Sequence, residues 1–326
     1  MSTFEENNNN NNNNNHDSIK EKAEYAESNI ERENYFFERK EKVLDLLGPT
    51  KCRNCWFLKI NCICDHLQPI KFKHRYITLF HHKEWSRVSN TGKLVTLISN
   101  RSTLDNNNNN NNNSNNSNNS NNLLDINTES QSKVLVMKIE EDEAMLKHIL
   151  ETTDHRNIFV LFPAPDSITI EEYLSQFKNN SNNDKSNNVN NNNSNNNVDS
   201  DTISIEDALE NVSLNDNYDF NELTMIILDG TWSQAKKLVK NIPPDIKRVR
   251  LTFGEQKVKS LYNQLRKQPA VDRISTLEAT ALAMHIIGES KENCKSLMDS
   301  FKYFIDKLMQ QNGAAGRTNK AWIGDK

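Results

Sequence analysis

The sequence is poor in apolar residues, which make up only 35% of its 326 positions even with Tyr and Cys counted among them. Globular chains approach half when glycine is included. The deficit is concentrated in three asparagine-dominated tracts, at 7–15, 106–122 and 179–197. Such tracts cannot bury enough apolar surface to order themselves, so we expect surface-loop insertions at 102–128 and 178–200. The rest of the chain is long enough for one large domain with a small appendage.

Long hydrophobic runs are also missing. No apolar run reaches the length of a membrane-spanning helix, and the N-terminal MSTFEENNNN lacks the basic and apolar regions of a signal peptide. These absences predict an intracellular protein without a membrane partner. We expect it in the cytoplasm, and a nuclear pool stays open. The 40 Lys and Arg nearly balance the 44 Asp and Glu, so a nucleic-acid-binding surface must be local.

Cysteine is scarce, with five in the whole chain, yet four of them lie within thirteen positions. In a reducing compartment such a cluster indicates a metal site rather than disulfides. A C-x2-C pair followed by a C-x-C pair can surround one tetrahedral Zn²⁺, and four thiolates leave no open position, so the predicted zinc is structural. The alternative is a set of free buried thiols. The predicted ligands are Cys52, Cys55, Cys62 and Cys64.

Short apolar runs alternate with helical patterns, which is typical of an α/β fold with a mostly parallel sheet and flanking helices. The predicted strands are Arg75–Phe80, Val134–Ile139, Ile158–Phe162, Leu223–Leu228 and 246–251. The predicted helices are 17–47, 90–99, Ile170–Phe177, Ser233–Val239, Thr276–Ile287 and Cys294–Met309. Four regions follow: a charged N-terminal segment with poly-Asn at 1–47, a zinc knuckle at 48–68, a catalytic domain at 69–310 and a tail at 311–326.

One strand-to-helix turn carries candidate chemistry. Ligands of parallel sheets bind beyond the carboxyl ends of strands, and Asp229-Gly230-Thr231-Trp232 directly follows the Leu223–Leu228 strand. A partly desolvated Asp229 has a raised pKa and can act as a general base. The alternative is an ordinary helix cap, with Trp232 only packing.

Five sequence blocks, taken in order, resemble the DTW-domain family of tRNA-uridine aminocarboxypropyltransferases. The sequence LDGTWSQAKK around Asp229 resembles the family signature, and the cysteine knuckle resembles its metal-binding cluster. The other three blocks are His82-Lys83-Glu84 with Asn90-Thr91-Gly92, Phe162-Pro163-Ala164, and Ile274-Ser275-Thr276-Leu277-Glu278-Ala279. Together they extend from about Cys52 to Ile287.

The resemblance implies a reaction and a fold. S-adenosylmethionine (SAM) would donate its 3-amino-3-carboxypropyl group to N3 of a tRNA uridine, with Asp229 as the base. The family is related to SPOUT methyltransferases, so the sheet is expected to be SPOUT-like, and a C-terminal trefoil knot stays open. The residues expected to bind SAM are Phe162, Pro163, Leu228, Gly230, Thr231, Trp232, Ser275, Thr276 and Glu278. Methyl transfer and non-enzymatic, zinc-dependent RNA binding remain alternatives.

A basic segment follows the Asp229 turn. Between positions 236 and 273, eleven Lys and Arg stand against three Asp and Glu, although the whole chain has a net charge of −4. Such a segment suits the phosphate backbone of a tRNA. The alternative is a solvated face of helices and strands.

Overall fold

A computed structural model describes residues 40–100, 131–178, 202–211, 220, 222–252, 257–265 and 274–314. The three Asn tracts and most of the predicted helix at 17–47 lie outside these residues. The strands are β1 (Arg75–Phe80), β2 (Ser132–Val136), β3 (Ile158–Leu161), β4 (Ile168–Thr169), β5 (Thr202–Ser204), β6 (Thr224–Asp229), β7 (Lys247–Arg250) and β8 (Lys257–Lys259). Six of them form one sheet in the order β2-β1-β6-β3-β7-β4, and β5 pairs with β8.

All pairings between these strands are parallel, which confirms the predicted sheet type. The helices are α1 (Lys40–Asp45), α2 (93–100), α3 (Glu140–Thr152), α4 (Ile170–Ser175), α5 (Ile205–Asn211), α6 (Trp232–Leu238), α7 (Thr276–Ile286) and α8 (Lys291–Ala314). None of the helices in the part of the chain that the structure describes combines the length and hydropathy needed to cross a bilayer.

The sheet separates two hydrophobic layers, because successive side chains of a strand point to opposite faces. In β1, Tyr76 and Phe80 join the larger layer with the cysteine knuckle, α7 and α8. Ile77 and Leu79 join the smaller layer with α3 and α6. Strand β6 lies in the middle of the sheet with all six residues buried, as the continuous apolar run LTMIIL predicts for a strand covered on both faces.

The structure corrects the end of one predicted strand and adds two helices that were not predicted, α3 and α5. The predicted strand Val134–Ile139 ends at Val136, because Lys138 turns the chain with a positive φ of 75°. The helix α3 that follows was not predicted. Four acidic residues occupy its first turn, where negative charge favours the helix dipole, and its buried face carries Leu146, Ile149 and Leu150.

The last helix is longer than predicted and closes the domain. Helix α8 runs from Lys291 to Ala314, so the predicted region boundary at 310 falls inside it. Its Gln311 side chain accepts a hydrogen bond from the Leu58 backbone N–H, at 2.9 Å. The ring centroids of Phe57 and Phe304 lie 5.4 Å apart. The knuckle therefore packs into the same core as the sheet, while the trefoil knot stays a prediction.

Candidate active site and metal centre

The carboxyl ends of three adjacent strands bring the candidate residues together. Phe80, the last residue of β1, pairs with Asp229 of β6 on one side and with Val136 of β2 on the other. The loop that leaves β1 then passes over the end of β6, because the backbone N–H of His81 donates to the Asp229 carbonyl at 3.2 Å. The segment after His81 therefore lies beside the Asp229 side chain.

The Asp229 carboxylate is held by two loops that are distant in sequence. Its Oδ2 accepts a hydrogen bond from the Gly92 backbone N–H at 2.6 Å. Its Oδ1 accepts a longer bond from the Thr276 hydroxyl at 3.4 Å. The structure therefore brings the NTG block, the DGTW turn and the start of α7 around one carboxylate.

Burial brings the pKa of Asp229 into the range of a base that works near neutral pH. Its side chain lies at the end of a central strand and is 6% exposed. Burial raises its pKa to about 6, and the charge of Glu84 acts in the same direction. The Gly92 hydrogen bond, the positive charge of Lys93 and the Asn90 side chain oppose this rise. A carboxylate with this pKa is ionised at neutral pH and can accept a proton.

Only glycine fits at position 92. A Cβ atom built there would lie 2.2 Å from Asp229 Oδ2 and 2.9 Å from Thr78 Cγ2. Because carbon and oxygen cannot approach so closely, any larger residue would displace the carboxylate. The close approach of the Gly92 backbone is thus a requirement of the site.

The turn does contain a helix cap, but the capping residue is Thr231 and not Asp229. Helix α6 begins at Trp232, and its N-cap residue is Thr231, whose backbone N–H donates to Gln234 Oε1 at 2.5 Å. Asp229 belongs to strand β6 and points to Gly92 instead. Gly230 lies between Asp229 and Thr231, and a Cβ atom at this position would come within 3.0 Å of the Gln234 side chain.

An aromatic pair borders the turn. The ring centroids of Phe162 and Trp232 lie 5.2 Å apart with their planes at 33°. Phe162 is buried and Trp232 is 40% exposed, and Lys236 Nζ lies 5.9 Å from the Trp232 ring centroid. Pro163, in the same loop, is exposed, whereas Leu228 is buried in β6 beside Asp229.

The start of α7 is a capping box formed by Ser275 and Glu278. The Ser275 hydroxyl accepts the Glu278 N–H, and Glu278 Oε2 accepts the Ser275 N–H at 2.7 Å. The fully buried Glu278 carboxylate also accepts from the Ser260 hydroxyl at 2.7 Å and the Leu261 N–H at 2.6 Å. Glu278 therefore fixes the turn from which Thr276 reaches Asp229.

The four clustered cysteines form a candidate metal centre. Their sulfur atoms all lie within 4.8 Å of one another. The Sγ atoms of Cys52 and Cys64 are 3.7 Å apart, and those of Cys55 and Cys62 are also 3.7 Å apart. A tetrahedral Zn²⁺ with four thiolates requires an S–S separation of about 3.8 Å. The thiols therefore fit one tetrahedral ion, while Cys294 lies apart in α8 and is buried.

The local backbone explains why the first cysteine pair is preformed. The Cys52 N–H donates to the Phe57 carbonyl at 2.8 Å, and the Trp56 N–H donates to the Cys52 carbonyl at 2.9 Å. These bonds close a tight turn in which Trp56 adopts a positive φ of 66°. A bulky residue takes this conformation only when the surrounding structure requires it, and the Trp56 side chain is fully buried.

A cluster of lysines surrounds His81 at the same edge of the sheet. The three lysines come from the loop after β1, the turn after β2 and helix α6. Burial and these charges lower the pKa of His81 to about 4. His81 is therefore neutral at pH 7, and its Nδ1 accepts the Lys83 N–H at 3.3 Å. The lysines are Lys83, Lys237 and Lys138.

Part of the predicted basic segment has a structural role. The Arg248 guanidinium donates to the backbone carbonyls of Pro243, Ile246, Val239 and Ile242, at 2.5–3.3 Å. Arg250 donates to the Ser167 carbonyl. These two arginines hold β7 against its neighbours. Positions 253–256 and 266–273 of the segment lie outside the described residues.

Sequence reasoning missed three residues of the site. Gly92, Asn90 and Glu84 belong to blocks that carry the family resemblance, but no role was assigned to them. Glu84 is buried and forms an ion pair with Arg87 at 3.0 Å. The motifs that contain these residues were visible in the sequence. Their contact with a residue 137 positions away required the fold.

A comparison with protein families gives one match. The family model described as DTW domain matches residues 49–309, which includes the cysteine knuckle, the sheet and most of α8. No curated protein and no solved structure matches the sequence significantly.

Proposed function

This chain belongs to the DTW-domain family, the family of tRNA aminocarboxypropyltransferases, and from this premise we propose its reaction. The protein transfers the 3-amino-3-carboxypropyl group of SAM to N3 of a tRNA uridine, which gives acp3U and methylthioadenosine. The family supports tRNA modification in general, and the geometry around Asp229 supports this particular chemistry. We expect the reaction in the cytoplasm.

The buried Asp229 carboxylate is the observation that carries the proposal. A uridine N3 holds a weakly acidic proton and needs a base before its nitrogen can attack carbon. Asp229 Oδ2 accepts the short bond from Gly92 at 2.6 Å, whereas Oδ1 accepts the longer bond from Thr276 at 3.4 Å. In the proposed reaction Oδ1 therefore accepts the proton.

The reaction balances without a further reagent. The N3–H bond breaks and its proton moves to Asp229. The nitrogen lone pair forms a bond to the terminal carbon of the aminocarboxypropyl group. The bond between this carbon and sulfur breaks, and its electrons stay on sulfur, which leaves as neutral methylthioadenosine. The sulfonium already activates the carbon, so the protein mainly orients the two reactants.

The residues around Asp229 suit the cosubstrate. We assign SAM binding to the turns that surround the carboxylate, where the partly exposed ring of Trp232 can stack on a base or on adenine. The hydroxyls of Thr231, Ser275 and Thr276 offer hydrogen bonds to its polar end. Phe162, Pro163, Leu228 and Gly230 would shape the pocket, and Glu278 would support it through the α7 cap.

The metal and the RNA complete the proposal. We assign Zn²⁺ to Cys52, Cys55, Cys62 and Cys64, where four thiolates leave no site for catalysis and the ion supplies structural stability. We assign the tRNA backbone to the carboxyl edge of the sheet, around Lys83, Lys138 and Lys237. Phosphates bound there would lie beside the base held at Asp229, and they position the RNA without selecting the uridine.

The decisive experiment identifies the product. Purified protein is incubated with SAM and an unmodified tRNA transcript, and the nucleosides are analysed by mass spectrometry. We expect acp3U and an equal amount of methylthioadenosine. Asp229→Asn should abolish transfer while leaving SAM affinity within about tenfold. Asp245→Asn serves as the matched control, because Asp245 is exposed and pairs with His155, away from the Asp229 turn.

Other outcomes identify the alternatives. A methylated nucleoside with S-adenosylhomocysteine would show a methyltransferase. tRNA binding without any release of methylthioadenosine, unchanged in Asp229→Ala, would show a binding module. Equal loss of SAM binding and transfer in Asp229→Asn would assign this residue to cosubstrate recognition instead.

The RNA surface is tested by salt dependence. Lys237→Gln and Lys83→Gln should each lower the slope of log affinity against log salt by about one, as expected for one lost phosphate contact. Lys247→Gln is the control, because Lys247 is exposed at the start of β7, away from this edge. An equal change in the control would place the tRNA elsewhere.

A further inference from the structure

Lys93 is a buried lysine at the first position of α2, immediately after Gly92. Its side chain is 0% exposed, although lysine is almost never fully buried without partners. Its Nζ donates to the carbonyl of Asn90 at 2.5 Å and to that of Val88 at 2.8 Å. Burial lowers the pKa of Lys93 to about 7, so the group is largely an ammonium ion near pH 6, and its two bonds close the segment 88–92 into a tight arc.

This arc carries the amide that holds the candidate base. The Lys93 backbone N–H donates to Asn90 Oδ1 at 3.3 Å, so both ends of Lys93 contact the arc. Between them, the Gly92 N–H donates to Asp229 Oδ2. Because this hydrogen bond is only 2.6 Å long, a movement of the arc would shift the carboxylate with it.

The other side of Lys93 faces the cysteine knuckle. Its Nζ lies 4.8 Å from the ring centroid of Trp56 and 5.0 Å from that of Phe304, distances at which a cation is attracted to an aromatic face. Trp56 follows the predicted metal ligand Cys55 directly in sequence. It also packs edge-on against Trp85 at 5.0 Å. Lys93 is thus in contact with both the metal centre's supporting tryptophan and the arc over Asp229.

We propose that Lys93 is a positioning residue that ties the zinc knuckle to the arc 88–92 and thereby sets the geometry and charge environment of Asp229. This inference rests on the proposed role of Asp229 as a base. The knuckle fixes Trp56, Trp56 fixes the ammonium group, and the ammonium group fixes the carbonyls of Val88 and Asn90. The Gly92 N–H group is then held in one orientation toward Asp229.

The competing explanation is that Lys93 only fills space. An apolar residue of similar length would fill the same volume, but it would leave two carbonyls without their donor and remove a positive charge near Asp229. The charged groups that act on Asp229 are Lys93, which favours the carboxylate, and Glu84, which disfavours it. Arg87 pairs with Glu84. Filling space and positioning therefore predict different behaviour of Asp229 when Lys93 is neutralised.

The Gly92 amide provides a readout that needs neither SAM nor RNA. In ¹⁵N-labelled full-length protein loaded with zinc, the chemical shift of this amide should follow the ionisation of Asp229 across pH. In Lys93→Met the midpoint should move upward by about one pH unit, and exchange of the Gly92 amide with solvent should accelerate at least tenfold. Lys93→Arg, which keeps the charge, should restore the midpoint.

Lys73→Met is the matched control. Lys73 also holds its ammonium over an aromatic ring, 5.5 Å from Phe220, but it lies at the opposite edge of the sheet, before β1. This variant should leave the Gly92 midpoint and exchange unchanged.

In the transfer assay, Lys93→Met should lower kcat about 100-fold with little change in the KM for SAM.

The outcomes separate this inference from the proposed function. If the parent protein transfers no group but the Gly92 amide responds as described, the function fails and the positioning role stands. If Lys93→Met binds one zinc per chain, melts cooperatively and shows an unchanged Gly92 midpoint and exchange, the inference is overturned. If Lys93→Met does not fold, Lys93→Gln is measured in its place. If neither neutral variant folds, the inference requires that Lys93→Arg folds and that its Gly92 amide titrates with the midpoint of the parent protein. A Lys93→Arg variant that does not fold, or that has a different midpoint, would also overturn the inference.

Discussion

The burial that would suit the Asp229 carboxylate to its proposed role also makes it unfavourable for stability. Its pKa rises from 3.8 to about 6 on folding because the side chain is buried. The folded chain therefore holds this proton more tightly than the unfolded chain. The free energy of unfolding therefore falls as the pH rises from 3.8 to about 6. Above that range the full loss, about 3 kcal/mol, has been reached.

A neutral side chain at position 229 should consequently stabilise the protein. We expect Asp229→Asn to raise the free energy of unfolding by up to about 3 kcal/mol near pH 7.5 and to have little effect near pH 4. Urea denaturation at both pH values measures this difference. A variant that is less stable than the parent near pH 7.5 would show that the carboxylate's hydrogen bonds outweigh its burial.

In the proposed reaction the same pKa should set the pH dependence of transfer. Because the base must be ionised, kcat/KM should rise with pH and level off above about 6. The rate profile between about pH 5 and pH 8 checks this expectation. A profile without an acidic limb would show that proton removal by this carboxylate does not limit the reaction.

Gly92 makes the sharpest mutational test of the geometry. Gly92→Ala should lower transfer about 100-fold, because the new Cβ would overlap Asp229 Oδ2 and displace it. Gly313→Ala is the control: nothing lies within 4 Å of a Cβ at this exposed helical position, and stability should increase by about 0.5–1 kcal/mol. Steady-state kinetics and thermal melting are measured on both variants, and full activity of Gly92→Ala would contradict the described contact.

Among individual residues, the sequence singled out Asp229 and the four cysteines, because each lies in a local pattern with a chemical meaning. It did not predict Lys93. A lysine that follows a glycine at a helix start is ordinarily a solvated residue, and nothing in the local sequence reveals the ring of Trp56 over its ammonium group. Contacts between segments that are far apart in the chain required the fold.

Elements differ in how far their local sequence determines them. The strand β1 agrees with its prediction at both ends, because a continuous apolar run bounded by polar residues leaves little choice. The end of β2 was predicted three residues too late, since Met137 and Ile139 continue the alternation of a strand while Lys138 turns the chain. The helix α3 was missed because its four leading acids mask a short buried face.

Two helices begin with the same capping box but in different surroundings, which makes them a matched pair. Helix α4 uses Thr169 and the exposed Glu172, and α7 uses Ser275 and the buried Glu278. We expect Glu278→Gln to destabilise the fold by about 2–3 kcal/mol, because an amide cannot accept the three donors that converge there. Glu172→Gln should cost less than about 1 kcal/mol. Urea denaturation of both variants measures the difference, and equal costs would contradict the dependence on burial.

On the scale of the whole molecule, the cysteine knuckle is a part of the main core. Trp56 and Phe57 pack against Phe80 and Phe304 respectively. The predicted division into a knuckle at 48–68 and a catalytic domain at 69–310 therefore describes regions of sequence that share one hydrophobic layer. The order of the six strands could not be predicted, because parallel pairing depends on crossovers between distant segments.

Loss of the metal should consequently unfold the entire domain. We expect Cys62→Ser to lose zinc and to lower the melting temperature by roughly 10 °C or more, in one cooperative transition. Cys294→Ser is the control, since this thiol is buried in α8 outside the metal cluster. Metal analysis and calorimetry measure both effects. A separate low-temperature transition in Cys62→Ser would show an independent knuckle.

The hydrogen bond from Leu58 to Gln311 has a consequence for synthesis on the ribosome. The knuckle emerges first, but the helix that supplies Phe304 and Gln311 emerges more than two hundred residues later. Until then Phe57 lacks the ring that covers it, so the nascent knuckle depends on its own turn, and on a captured ion, to remain in shape. The domain thus completes its fold only after α8 has been translated.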